Sequence, residues 1–151
     1  TITGIAGKIK EKLPNVIVVG VDPKGSILAE PENLNGAITS YHVEGIGYDF
    51  VPQVLQRRLV DYWVKTEDKE SFYYSRRLIR EEGLLCGGSS GSVMAGALKA
   101  IKQLNGKTGI NSKGKRVVIL LPDSIRNYMT KFLSDDWMID NNFMENTEQA
   151  E

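Results

Sequence analysis

The residues best suited to chemistry are hydroxyls and glycines, and they fall in three short clusters. Gly87-Gly88-Ser89-Ser90-Gly91-Ser92 sets two glycines ahead of a run of serines. Glycine lets backbone approach a ligand closely. A serine at a helix start can hydrogen-bond a ligand or cap the helix, and the free N–H groups there draw anions. The cluster reads equally as a ligand cradle and as a capped glycine turn. Thr1-Ile2-Thr3-Gly4 places a second hydroxyl ahead of a helix, and from these residues alone capping is the simpler role. Glu44-Gly45-Ile46-Gly47-Tyr48 is the third cluster, with a tight backbone path and a phenol that can give or take a proton. A turn followed by a packing aromatic accounts for that one equally well.

Other reactive types point away from chemistry. His42 is the only histidine and Cys86 the only cysteine, so there is no metal-ligand cluster and no internal disulfide. Cys86 follows two leucines and is expected to be a buried, inert thiol. A lone cysteine fits a reducing compartment, and the cytosol is the expected location. Lys113-Gly114-Lys115-Arg116 reads as a solvated loop. Formal net charge is zero, which argues against an electrostatic hold on nucleic acid or anionic lipid. The 151 residues suffice for one packed domain.

The elements that must position these clusters follow from periodicity. Ile2, Ile5, Ala6, Ile9 and Leu13 share a helical face, ended by Pro14. Val16–Val21 is continuously apolar and β-branched, as in a parallel strand covered on both faces, and Asp22-Pro23-Lys24-Gly25 turns the chain. A long connection from Ser26 to Tyr48 follows, of the kind that often carries function. Residues 49–64 show no clear pattern beyond a short helix near Pro52–Arg57. Thr66 is the expected N-cap of a helix that Gly83 terminates. Another helix begins near Ser89 or Ser90, burying Val93, Met94, Ala97, Leu98, Ile101 and Leu104, and ends at Gly106. Residues 106–115 form a polar loop, Val117–Leu121 a second fully apolar strand, and Arg126–Leu133 a short helix. The alternation predicts α/β architecture with a mainly parallel sheet, a core over residues 1–140 and a polar tail or linker over 141–151. The chain opens directly on a helix without an initiator Met, the pattern expected of a piece of a longer polypeptide.

In combination the segments resemble one family, cystathionine β-synthase, over nearly the whole chain. The most specific stretches are Asp22-Pro23-Lys24-Gly25-Ser26-Ile27-Leu28-Ala29-Glu30-Pro31, Glu44–Phe50, Glu82–Ser89 and Leu121–Leu133. The resemblance implies the large domain of the second fold type of pyridoxal-phosphate enzymes, a three-layer sandwich. It implies pyridoxal 5'-phosphate as cofactor, with Thr1 as the last residue of the phosphate loop and Ser89 hydrogen-bonded to the pyridine nitrogen. A neutral hydroxyl at that nitrogen does not enforce its protonation, which biases the cofactor toward β-elimination and β-replacement. Gly45, Ile46, Gly47 and Tyr48 match an active-site loop, with Gly45 and Tyr48 the catalytic candidates. Tyr48 is the best single marker for homocysteine over sulfide as acceptor.

The implied reaction condenses L-serine with L-homocysteine to L-cystathionine and water, in a homodimer, with hydrogen sulfide release as a side reaction. The family's Schiff-base lysine and its ring-contacting asparagine match no residue here. The chain alone is therefore expected to be inactive, and the other half of the catalytic core becomes its implied partner. Animal members bind haem through an N-terminal segment that matches nothing here, so haem is not expected on this segment, and Gly7, where those members tend to have a basic residue, argues against haem coupling in the parent protein too. The alternatives are a cysteine synthase using O-acetylserine, a non-catalytic fragment, and an N-terminal-nucleophile hydrolase suggested by Thr1. The last requires antiparallel sheets.

Overall fold

The computed structural model describes residues 1–107 and 113–145. Helix α1 spans Ile2–Lys12, strand β1 Val19–Pro23, strand β2 Tyr62–Thr66, helix α2 Asp68–Glu82, helix α3 Gly88–Lys107 and helix α4 Asp135–Asp140. Short 3-10 turns occupy Glu32–Leu34, Arg57–Leu59 and Ile125–Tyr128.

β1 and β2 pair in parallel, from Val19 opposite Tyr62 to Pro23 opposite Thr66. This is the parallel pairing expected of the α/β class, and it excludes the antiparallel hydrolase reading at this core. Helix α3 lies on the pair, and α2 lies on α3. Each contact is close because a glycine sits at the crossing. A Cβ on Gly96 would come within 2.5 Å of Val21 Cγ2, and one on Gly91 within 1.8 Å of the Ser71 carbonyl oxygen. Serines complete the α2–α3 seam. Ser92 Oγ donates to Ser71 Oγ at 2.8 Å, and Ser75 Oγ donates to the Gly87 carbonyl at 2.9 Å.

An apolar core cluster forms around Phe72 of α2. Phe72 stacks on Phe132 with centroids 5.2 Å apart, and Val43, Ile125, Tyr128 and Met138 close around them. Phe143 and Met144, which the sequence places in the tail, pack against this cluster. Residues 146–151 of that tail, and residues 108–112 of the expected polar loop, lie outside the described residues.

Several boundaries differ from the sequence-based expectation. Val16–Val21 was the expected first strand, but the paired segment runs two residues further, into the turn motif. Strand β2 arises where no pattern was legible. Glu67, not Thr66, is the N-cap of α2, and the Glu70 carboxylate reaches back to accept from its N–H at 2.9 Å. Gly83 ends α2 at φ 69°, the left-handed conformation expected of it. The helix expected over Arg126–Leu133 is a 3-10 turn at Ile125–Tyr128 followed by irregular turns.

Val117–Leu121 is not a paired strand, and Val117, Val118 and Leu120 are exposed. Apolar β-branched sequence favours an extended chain, but a strand exists only when a neighbour accepts its hydrogen bonds. Among the described residues this stretch has no such neighbour; the only pairing nearby is an antiparallel bridge between Cys86 and Ser124.

Candidate functional site

Ser89 is the second residue of α3, held there by the packing of the two glycines before it. A Cβ on Gly87 would lie 2.0 Å from Asp123 Oδ1, and one on Gly88 would lie 2.9 Å from the Phe72 ring. The Gly87 N–H donates to the Asp123 carbonyl at 3.0 Å, and Ser90 N–H to the Gly87 carbonyl at 3.1 Å. The loop is thus pinned on both sides, and α3 begins at a fixed point. Ser89 is only 3% exposed, yet its hydroxyl makes no hydrogen bond to another described residue. Beside it, Ser90 Oγ is fully enclosed and has no partner, and neither has Asp123 Oδ1. Buried polar atoms without partners are costly unless a ligand satisfies them. The helix start thus has one enclosed hydroxyl, that of Ser90, and one carboxylate oxygen, that of Asp123, without a partner among the described residues.

Thr1 is the N-cap of α1, but its side chain does not cap the helix. The capping role that looked simpler from the residues alone is not what its hydroxyl does, so the side chain remains available to an anion. The helix it opens is anchored by Thr3, whose Oγ1 donates to the Val54 carbonyl at 2.8 Å and accepts from Gln56 N–H at 3.0 Å. Of the α1 stripe, Ala6 is buried, whereas Ile5 and Leu13 are exposed.

Tyr48 is 51% exposed and rests against Phe50, with centroids 5.1 Å apart. Its ring is free but its backbone is clamped. Ser26 Oγ donates to the Tyr48 carbonyl at 3.1 Å and accepts from Tyr48 N–H at 3.0 Å, while Ile27 N–H donates to the same carbonyl at 3.0 Å. Ser26 is buried, and behind it lies an ion pair. Lys65 Nζ contacts Asp22 Oδ2 at 2.6 Å, the Ser26 carbonyl at 2.8 Å and Asn35 Oδ1 at 3.2 Å. Asp22 Oδ2 also accepts from Ala29 N–H at 3.1 Å. β1 and β2 thereby hold the Ser26 that clamps the Tyr48 backbone.

Tyr48 borders a cavity of about 400 Å3 shared with Gly25, Thr39, Tyr41, Gly47 and Asp49. Gly47, at φ 79°, is the glycine of that wall; a Cβ there would strike the Tyr41 hydroxyl at 2.5 Å. Gly45 lies on the open side of the loop, at φ 81° with nothing within 4 Å of its Cβ position. No hydrogen bond links Thr1, Tyr48 and Ser89 to one another among the described residues. Sequence reasoning had missed Ser26, Lys65 and Tyr41, whose roles depend on contacts across long stretches of chain.

Asp123 and Tyr128 form a second local unit beside Gly87. Tyr128 is buried and donates to Asp123 Oδ2 at 2.6 Å. Burial, then the hydrogen bond and charge of Asp123, push the phenol up to about 12. The folded value lies above the ordinary 10.0, so this contribution to stability is complete below that pH and is lost as pH rises through about 12. Titration of tyrosinate absorbance should therefore show a late-ionising phenol among the six tyrosines that Tyr128→Phe removes and Asp123→Asn returns toward the ordinary range. Persistence of that ionisation in Tyr128→Phe would assign it to another residue. Cys86 is a buried thiol, as expected, with its Sγ 3.9 Å from Ser75 Oγ, and His42 is exposed, set edge-on to Trp137 and Phe143.

Comparison with known proteins gives a consistent picture. The chain is 68% identical over 145 residues to a cystathionine beta-synthase of Dictyostelium discoideum, covering 96% of this chain and 28% of that protein. It is 58% identical over 149 residues to the cystathionine beta-synthase of Oryctolagus cuniculus, covering 98% and 26%. A cysteine synthase of Helicobacter pylori is more distant, at 36% identity over 132 residues, 87% of this chain and 39% of that protein. Among solved structures, an O-acetylserine dependent cystathionine beta-synthase from Helicobacter pylori superposes with a TM-score of 0.70 at 32% identity, covering 87% of this chain and 39% of that one. The chain spans about a quarter of the length of the cystathionine beta-synthases it matches. A family model described as pyridoxal-phosphate dependent enzyme matches residues 1–123, and the chain belongs to that family.

Proposed function

We propose that this chain forms one side of the active site of a β-replacement enzyme that condenses L-serine with L-homocysteine to L-cystathionine. The observation that carries the reading is Ser89, a residue only 3% exposed at a pinned helix start, beside the enclosed Ser90 hydroxyl that has no partner among the described residues. Pyridoxal phosphate, when bound, supplies the electron sink that lets a β-substituent leave. Ser89 would face its ring nitrogen and Thr1 its phosphate. The Ser26 clamp fixes the backbone beneath Tyr48, leaving the phenol able to orient an acceptor or to hold a proton beside it. The higher identity to cystathionine beta-synthases than to the cysteine synthase favours homocysteine over sulfide as the acceptor.

In this reading the lysine that tethers the cofactor lies outside these 151 residues. The chain mixed with pyridoxal phosphate should then give no stoichiometric imine absorption band, whereas a polypeptide including the preceding half of the core should give one. A stoichiometric band traced to a single lysine of this chain would refute the division of labour. Product analysis of the longer polypeptide with serine plus homocysteine, and with O-acetylserine plus sulfide, separates the two acceptor readings. Because one related structure is described as O-acetylserine dependent, homocysteine should also be paired with each donor. Faster cystathionine formation from O-acetylserine than from serine would revise the donor.

A further inference from the structure

The cavity beside Tyr48 has a chemical character of its own. At about 400 Å3 it falls within the size range of small-molecule sites, roughly 300–1,000 Å3. The polar residues that line it are Thr39, Ser40, Tyr41, Tyr48 and Asp49, and no lysine or arginine lines it. The wall is built to close tolerances. A Cβ on Gly25 would lie 2.4 Å from the Thr39 carbonyl oxygen, and one on Gly47 would lie 2.5 Å from the Tyr41 hydroxyl. Gly25 and Gly47 both have positive φ, so the absence of side chains there matches what their backbone requires.

Three carboxylates act on the Tyr41 phenol, those of Asp22, Asp49 and Asp68, and with burial as the largest cause they raise its pKa. Two of the three are already engaged. Asp22 is paired with Lys65 and accepts from Ala29 N–H. Asp68 accepts from His42 N–H at 2.7 Å and Val43 N–H at 3.0 Å. Asp49 alone makes neither an ion pair nor a hydrogen bond among the described residues, and it is an exposed residue of the cavity lining. One uncommitted carboxylate with no cationic side chain beside it suits an ammonium group, and the neighbouring hydroxyl residues can donate to an acceptor group carried by the same ligand.

We infer that this cavity is the subsite for the amino-acid end of the acceptor thiol, with Asp49 receiving its α-ammonium group and the Thr39, Ser40 and Tyr41 hydroxyls receiving its carboxylate. The inference rests on the reading above that the acceptor is an aminothiol, and it deepens that reading by assigning the residues that distinguish such an acceptor from a simple thiol. The cavity adjoins Tyr48, so an acceptor bound there would present its thiol end along the phenol.

The test compares homocysteine with 4-mercaptobutyrate, the same thiol acid without the amino group, as competing acceptors for the full-length holoenzyme. The readout is the ratio of kcat/KM for the two, which is insensitive to the fraction of protein that folds. The unsubstituted enzyme should prefer homocysteine, and Asp49→Asn should reduce that preference by about tenfold, the low end of the range for one hydrogen bond to a charged group, as befits an exposed carboxylate. Asp49→Glu, which keeps the charge, should retain most of it. An unchanged ratio in Asp49→Asn overturns the subsite. Failure of the unsubstituted enzyme to form cystathionine at all overturns the proposed function, and the subsite with it.

Discussion

Replacing Lys65 with Met should cost about 3–5 kcal/mol of stability, because it strands a carboxylate that water cannot reach. Asp22 is 1% exposed and the Lys65 side chain 11%. The ammonium donates to three acceptors, the Asp22 carboxylate, the Ser26 carbonyl and Asn35 Oδ1, so all three of its protons are used. Met fills a similar volume but supplies none of these bonds. One Asp22 oxygen already lacks a partner, so no reserve of hydrogen bonds remains to absorb the loss. Urea unfolding should show a lower midpoint with an unchanged slope. The double variant Lys65→Met, Asp22→Asn should recover much of the loss, since the buried charge is then gone. If the double variant is as unstable as the single one, the cost arises from packing and not from the stranded charge.

Gly91→Ala should be comparably disruptive. The added methyl would lie 1.8 Å from the Ser71 carbonyl oxygen and 2.5 Å from the Ser75 amide nitrogen. Both are backbone atoms of α2, which cannot rotate aside as a side-chain tip can. Overpacking in a close-packed interior costs roughly 1–3 kcal/mol and more where nothing yields, so the loss should reach the upper part of that range. The two helices must separate, and the Ser92–Ser71 hydroxyl contact must break with them. Because α3 begins at the same crossing, Ser89 would shift with it. Gly4→Ala provides the control. Nothing lies within 4 Å of its Cβ position, and it sits within α1, so alanine there should stabilise by up to about 1 kcal/mol. A Gly91→Ala protein with undiminished stability would mean that α2 and α3 are not packed at this distance.

The sequence made some of these features legible and concealed others for identifiable reasons. Gly83 was readable as a helix stop because its left-handed conformation is a local property of one residue. The start of α3 near Ser89 was readable because two glycines interrupt the apolar pattern just before it. Strand β2 was not, because Lys65 breaks its apolar run, and only the fold reveals that this lysine points at a buried aspartate on the neighbouring strand. Val117–Leu121 failed in the opposite direction: its composition is that of a strand, but pairing depends on a neighbour that no local pattern specifies. The motif around Tyr48 was visible as a match to a family loop, whereas its support was not. Ser26 reaches Tyr48 across 22 positions, and Asp22 reaches Lys65 across 43. Contacts of that separation carry no signature in either stretch alone.

The uncovered Val117–Leu120 edge also governs how the molecule would behave in solution. A strand-like apolar segment with no paired neighbour among the described residues is a template on which another extended chain can grow. Copies of this chain held at high concentration therefore have a ready route to sticking to each other, and whatever polypeptide occupies the edge first acts as its solubility tag.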